Sequence, residues 1–323
     1  MTGERSTPPE TISARETEQA PQPTIRLEFF RHSIKADKKE GETDYDILLT
    51  PEGRVAAQAT GANKNPQPEV AVAYGSRRNR ALETAHHQMF ASTEEIPPEM
   101  ALSEIEKTVE KYLEEQGLRG QKKGGKRKAL DFSFDGSPAF KKEGYDRFLK
   151  SKDCMNFLRN DSDHIIRENQ DHESTSYSRA AGNVADLVYG YLRALENWER
   201  IAKKEPKKYE KFHNELQRFM GSHQTVTECF LMKAIEKAEE AKAEREGHNP
   251  KEAAEKAIHE FIASLPSTNG FDVNQGFSVV LGKNKTGTEE IRVRFNDNQW
   301  NLTKEQLLEI IKEKDDLERE VRV

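Results

Sequence analysis

The segment TIRLEFFRHSI (residues 24–34) decides the fold class. Ile25, Leu27 and Phe29 alternate with polar neighbours and Phe30 extends the apolar run, the pattern of a buried strand. That strand ends on Arg31 and His32. Next, LTPEGRVAAQATG (49–61) reads as a helix, with Thr50 at the N-cap, Pro51 at the first helical position and Gly61 as the stop. VAVAYG (70–75) is a second short apolar strand, followed directly by a helix from about Arg78 to Phe90. Strand, helix, strand, helix is the rhythm of an α/β fold, expected here as a three-layer α/β/α arrangement around a mostly parallel sheet.

The remaining segments extend that core. In ALSEIEKTVEKYLEEQG (101–117), Ser103 and Glu106 have the spacing of a capping box and predict a helix ending near Gly117. Residues 117–145 hold no sustained period and read as a long excursion from the core. A helix from about Ser176 to Trp198 carries Val184, Leu187, Val188, Tyr191, Leu192 and Leu195 on one face. LQRFMG (216–221) is a weak strand, and 224–264 reads as a helical hairpin restarted by Asn249-Pro250. GFSVVLG (276–282) and EIRVRF (290–295) flank a turn and predict a β-hairpin, before a final helix capped by Thr303 with Gln306.

Residues 1–23, rich in Thr, Glu, Pro and Ser, cannot offset their ordering entropy and read as a disordered tail. A length of 323 residues alone suggests about two domains. The motifs instead suggest one domain over 24–323, with insertions at about 105–171 and 224–264 and an extension at about 271–323.

Composition excludes several functions. Lys and Arg number 51 against 57 Asp and Glu, a net charge of −6 that argues against a nucleic-acid partner held by global charge. No run of about 18 apolar residues exists to cross a membrane, and the first residues lack the apolar region of a secretory signal. Cys154 and Cys229 are too few for a disulfide framework and have no metal-ligand spacing. His86-His87, His164 and His172 form no metal constellation either. The expectation is a cytoplasmic protein with no membrane partner, no metal and no cofactor.

Chemistry gathers at strand ends, where ligands of open α/β sheets bind. The first strand ends in Arg31-His32, the second is followed by the arginines of GSRRNRALETA (75–85), and the third by Ser222-His223. Arginine forks suit phosphate oxygens, and a neutral imidazole can attack phosphorus.

FFRHSI resembles the Arg-His-Gly signature of the histidine phosphatase superfamily, the phosphoglycerate mutase-like fold. Four further segments follow in the family's order: LTPEGRVAAQATG (49–61), SRRNRALETA (76–85), HESTSYSR (172–179) and MGSHQT (220–225). The resemblance covers roughly half the chain, mainly residues 24–104 and 172–232. It implies that His32 is the nucleophile of a phosphohistidine intermediate and that Arg31, Arg80 and His223 surround the transferred phosphoryl group. In SRRNRALETA the motif singles out Arg80 rather than Arg77 or Arg78. For the general acid it points to Glu104 in the Leu-Ser-Glu segment, with Glu106 and Glu99 as alternatives. Glu104 at a helix start would face the positive end of the helix dipole, a poor setting for a proton donor.

Two residues depart from the family pattern: Ser33 stands for the glycine after the nucleophile, and Gln224 for the glycine after the second histidine. The implied activity is metal-independent hydrolysis of a small phosphorylated substrate. A phosphoglycerate mutase-type phosphotransferase and a catalytically idle relative acting as a scaffold are the alternatives; residues 105–117 do not resemble the mutase segment. The basic run 119–128 (Arg119, Lys122, Lys123, Lys126, Arg127, Lys128) reads as a solvated loop, since it has no interleaved aromatics. The hairpin 224–264 is a lid over the site, a docking surface or, as its Ala/Glu/Lys composition suggests, an exposed helix pair.

Overall fold

Seven strands form one sheet in the order β3-β2-β4-β1-β5-β6-β7 in a computed structural model of the chain, which describes residues 22–115, 124–284 and 286–322. Four strands are parallel: β1 (Thr24–Arg31), β2 (Ala71–Gly75), β3 (Gly124–Lys126) and β4 (Glu215–Ser222). β4 lies between β2 and β1, with Gly75 opposite Gly221 and Arg31 opposite Ser222. The strand expected to be weak is thus central. Beyond β1 the sheet turns antiparallel through β5 (Gly276–Lys283), β6 (Glu289–Phe295) and β7 (Asn298–Leu302). The C-terminal hairpin therefore extends the main sheet, and β7 is a third strand that the sequence pattern hides behind Asn298, Gln299 and Asn301.

Helices cover both faces. In chain order they are α1 (Pro51–Ala62), α2 (Asn79–Met89), α3 (Leu102–Glu115), α4 (Pro138–Tyr145), α5 (Cys154–Phe157), α6 (Asp163–Asn169), α7 (Tyr177–Lys204), α8 (Pro206–Tyr209), α9 (Val226–Glu246), α10 (Pro250–Ser264) and α11 (Lys304–Val321). The alternation along β1 assigns its side chains to two layers. Ile25, Leu27 and Phe29 join Val184, Val188, Phe230, Phe277 and Leu307 on one face. Phe30 turns the other way and packs with Ala71, Ala73, Met89, Phe90, Ile105 and Phe219. Each fully buried large apolar side chain stabilises by roughly 1.5–3 kcal/mol, so these two clusters hold the sheet between its helices.

Some expectations need correction. Ser103 does not cap α3; that helix starts at Leu102, and the Ala101 N–H donates to Glu104 Oε2 (3.2 Å). Residues 128–145 are no excursion: Leu130, Phe134 and Phe140 are buried in the larger core. Gly61 lies inside α1, not past its end, and serves close packing: a Cβ there would sit 2.5 Å from Gln88 Cα. Thr50 caps α1 as expected, accepting from Gly53 N–H at 3.0 Å, and Thr303 with Gln306 forms the capping box of α11. The hairpin 224–264 is present as α9 and α10, but the first half of α9, Val226 to Ile235, is buried rather than exposed. Nearly all of the tail 1–23 and, from the basic run, Arg119, Lys122 and Lys123 lie outside the described residues. Among the described residues, no helix is long and apolar enough to cross a membrane.

Candidate active site

The parallel strands β2, β4 and β1 end side by side, and the chain continues each with a polar residue. Ser76 N–H donates to Gly221 O (3.1 Å) and His32 N–H to Ser222 O (2.9 Å), so Ser76 and His32 are held by extensions of the ladder, and His223 follows directly on the end of β4. Gly221 is required here, because a Cβ would overlap the Ala81 carbonyl oxygen of α2. The result is a cavity of about 600 Å³ lined by Arg31, His32, Arg78, Arg80, His223, Asp44 and the aromatic rings of Tyr45, Phe132 and Phe134, among others.

His32 has one tautomer. Its Nδ1 lies 2.7 Å from the Ser33 carbonyl oxygen, which can only accept, so Nδ1 carries the proton. Nε2 therefore holds the lone pair, and it accepts from Arg80 Nε at 3.2 Å. Burial, reinforced by Arg80, drives the His32 pKa down to about 3, which keeps the ring neutral at pH 7. The His223 ring lies 5.1 Å from His32, edge to face, and burial drives its pKa well below the ordinary value too. Its Nε2 shares a hydrogen bond of 2.6 Å with Ser76 Oγ, which also accepts from Arg78 N–H at 3.1 Å.

Three guanidinium groups surround these rings. Arg80 is 4 % exposed and gives Nη1 to the Asp44 carbonyl (2.7 Å) and Nη2 to the Asp44 carboxylate (3.1 Å). Arg78 also pairs with Asp44, and its guanidinium lies 4.7 Å from the Phe132 ring centroid. The hydrogen bonds of Arg80 and Arg78 outweigh partial burial at Asp44 and lower its pKa to about 2. Arg31 Nη1 donates to the Phe271 carbonyl at 2.7 Å, and the buried carboxylate of Glu228 accepts the Phe271 N–H at 2.7 Å. Burial lowers the pKa of Arg31, while Glu228 and Asp272 oppose the shift.

Buried polar groups normally find partners, and orphans call for an explanation. Arg31 Nε, Arg78 Nη1 and His223 Nδ1 are buried without a hydrogen-bond partner, and all three residues line this cavity. Arg31 Nε and Arg78 Nη1 can only donate, and two such donors around one space suit an anion with several oxygens. Among the described residues, no group of three or more His, Cys, Asp or Glu side chains could hold a metal ion.

Of the residues singled out from sequence, Arg31, His32, Arg80 and His223 meet in this cavity. Glu104 does not line it: the side chain is exposed on the first turn of α3 with its carboxylate on the Ala101 N–H. Glu99 and Glu106 are exposed and also lie outside the lining. The two departures resolve differently. Ser33 is fully buried, its Oγ donating to Gly53 O (2.7 Å) and accepting from Asn274 (2.9 Å), so its hydroxyl ties β1 to α1. Gln224 lines the cavity. Sequence spacing missed Arg78, Ser76, Asp44 and Phe132; nothing in the run Arg77-Arg78-Asn79-Arg80 distinguishes Arg78, since which arginine faces inward depends on where α2 begins.

No family model and no curated protein matches the chain. Solved structures do. YhfR from Bacillus stearothermophilus is 13 % identical, with 85 % of this chain and 98 % of that chain covered and a TM-score of 0.38. A mycobacterial glucosyl-3-phosphoglycerate phosphatase in complex with inorganic phosphate is 13 % identical over 86 % of this chain and 97 % of that one, also at 0.38. The structure of a mycobacterial hydrolase 2 is 12 % identical over 90 % and 97 %, again at 0.38. Likeness at this level leaves function to the cavity's own geometry.

Proposed function

We propose that this chain, with a neutral imidazole set among cationic donors, is a phosphomonoester hydrolase of the histidine phosphatase type. The observation that carries the reading is the His32 ring: Nδ1–H is spent on the Ser33 carbonyl, and the Nε2 lone pair stands among Arg31, Arg78 and Arg80. In the first step Nε2 attacks phosphorus, an N–P bond forms, and the P–O bond to the leaving group breaks with its electron pair on that oxygen. Water then attacks the phosphohistidine, the N–P bond breaks, and inorganic phosphate leaves with the water oxygen while the electron pair returns to Nε2. Charge on the three equatorial oxygens is met by fixed guanidinium donors, which need no reorganisation.

Arg31 Nε and Arg78 Nη1 supply two of those donors. His223 supplies the third in the tautomer whose ring proton sits on Nδ1, in which the Ser76 hydroxyl donates to Nε2. The phosphoryl group also takes over Arg80, whose hydrogen bond to His32 Nε2 is given up as the lone pair bonds to phosphorus. Of the carboxylates lining the cavity, Asp44 is held ionised by two arginines and Asp135 pairs with Lys141 at 2.8 Å. The leaving oxygen therefore takes its proton from water, and leaving groups of low pKa such as 4-nitrophenolate are favoured. The direct test is hydrolysis of 4-nitrophenyl phosphate in EDTA. Wild type turns over, and His32→Ala falls by at least roughly a thousandfold, the scale of losing a nucleophile. No turnover by wild type, or equal turnover by the variant, overturns the reading.

A further inference from the structure

A second cavity of about 660 Å³ adjoins the first and shares Tyr45, Phe132 and Ser133 with it. Its walls come from segments outside the strand ends: Lys128 to Ser133, the residues leading into α7, and the last turns of α11. Its charged lining is four cations, Arg77, Lys128, Arg179 and Arg322, against three carboxylates, Asp131, Glu173 and Glu318. Two of the cations are neutralised locally. Arg77 pairs with Asp131, and Arg179 Nε with Glu318 at 2.7 Å. Lys128 and Arg322 have no ion-pair partner among the described residues and are exposed, leaving a positive excess with Glu173 as the opposing carboxylate. Arg179 adds an independent sign of a missing ligand: the residue is 5 % exposed, and its Nη2 is buried with no partner.

Between the two cavities stand aromatic faces. The Phe132 ring lies 5.3 Å from His223, and Arg78 stacks on both Phe132 and Tyr45 at 4.7 and 5.2 Å. Arg77 lies 5.5 Å from Tyr45. A planar group crossing from the phosphate cavity would run along rings already flanked by guanidinium groups.

We propose that this second cavity is the leaving-group subsite, and that it selects phosphomonoesters whose leaving group is planar and carries a second anionic group at its far end. The inference rests on the phosphatase reading of the first cavity. The phosphoryl group sits at His32, the planar spacer lies on Phe132 and Tyr45, and the second anion meets Lys128, Arg322 and Arg179. The aromatic spacer sets the distance and the cations supply the preference.

The experiment separates binding from turnover. Benzylphosphonate and biphenyl-4-ylmethylphosphonate, which a phosphatase cannot cleave, are each titrated calorimetrically into the full chain with and without a carboxylate at the para end. The carboxylate is expected to lower Kd roughly fivefold at one of the two spacer lengths, the scale of a partly exposed charge pair. In Lys128→Ala/Arg322→Ala that difference disappears, and in the charge-conserving Lys128→Arg/Arg322→Lys it returns. Equal Kd values within both pairs in wild type, or a preference that survives in the alanine variant, overturns the subsite. The corresponding aryl phosphates are assayed in parallel. Their hydrolysis with equal Kd values overturns the subsite alone, and a preserved Kd difference with no hydrolysis overturns the phosphatase reading alone.

Discussion

The molecule holds two pairs of buried histidines, and their surroundings set them apart. His32 and His223 face each other across the ends of β1 and β4; His86 and His87 are neighbours on α2. Burial dominates in all four, lowering the pKa of His32 and His86 to about 3, of His87 to about 4 and of His223 well below its ordinary value. The α2 pair is sealed. His87 receives the Gln58 amide at Nδ1 (3.4 Å) and donates Nε2–H to the Met100 carbonyl (3.1 Å), while a Cβ on Gly124 would sit 3.0 Å from the His86 ring. At the strand ends the same neutral imidazole opens onto a cavity where Arg31 Nε and Arg78 Nη1 have no hydrogen-bond partner, Arg78 Nη1 standing 3.6 Å from the Asp131 carboxylate. Burial alone therefore produces a neutral ring, even with His86 Nδ1 left without a hydrogen-bond partner. The proposed nucleophile differs in having its lone pair open to a cavity lined by guanidinium groups, with Arg80 directly on it.

Removing the cationic side of this arrangement should make His32 resemble the sealed pair. Arg80→Ala takes away the donor nearest His32 Nε2, and kcat/KM on 4-nitrophenyl phosphate is expected to fall by about 10²–10³-fold, the scale of losing one donor to the developing charge. The partner left behind, Asp44, has a side chain 45 % exposed, so the thermal midpoint should shift little. A loss of activity under tenfold would mean that Arg80 does not meet the phosphoryl group.

Acid should erase the distinction between the pairs. Each histidine folds with a pKa below the ordinary 6.5, so the unfolded chain binds more protons between that value and the folded one. This stability is fully present above pH 6.5 and is lost as the pH falls toward 3. Each titrating ring contributes up to about 1.4 kcal/mol per pH unit. Glu83 and Glu228, whose pKa values burial raises, act in the opposite sense and offset part of the loss. Denaturant midpoints measured from pH 7 to pH 5 should fall steadily, and less steeply in His87→Gln. A flat profile would mean that these rings are not held neutral.

Much of the site was legible because β1 and β2 carry apolar runs that stop abruptly at charged or hydroxylated residues, and the weaker β4 ends the same way at Ser222-His223. Ladder hydrogen bonds then leave Arg31 and His32 little choice of position, and His223 comes next after the paired Ser222. The rest depended on contacts distant in sequence. Arg78 enters the cavity because α2 starts at Asn79, with its first N–H groups received by the Tyr45 and Ile47 carbonyls of a separate loop. Glu104 misses it because α3 spends that carboxylate on its own first turn. β3 is three residues, Gly124–Lys126, whose strand character comes only from pairing with β2. Phe132 looked like part of an irregular basic stretch, yet Leu130, Phe134 and Phe140 on either side of it are anchored in the core.

The decisive measurement is rapid acid-free quenching of the wild-type protein during incubation with 4-nitrophenyl phosphate, followed by peptide mapping of the phosphoryl group. Attack by Nε2 predicts an alkali-stable, acid-labile phosphoryl group on His32 during turnover, absent from His32→Ala. Steady turnover with no phosphoryl group on His32, or with the group on another residue, would contradict it.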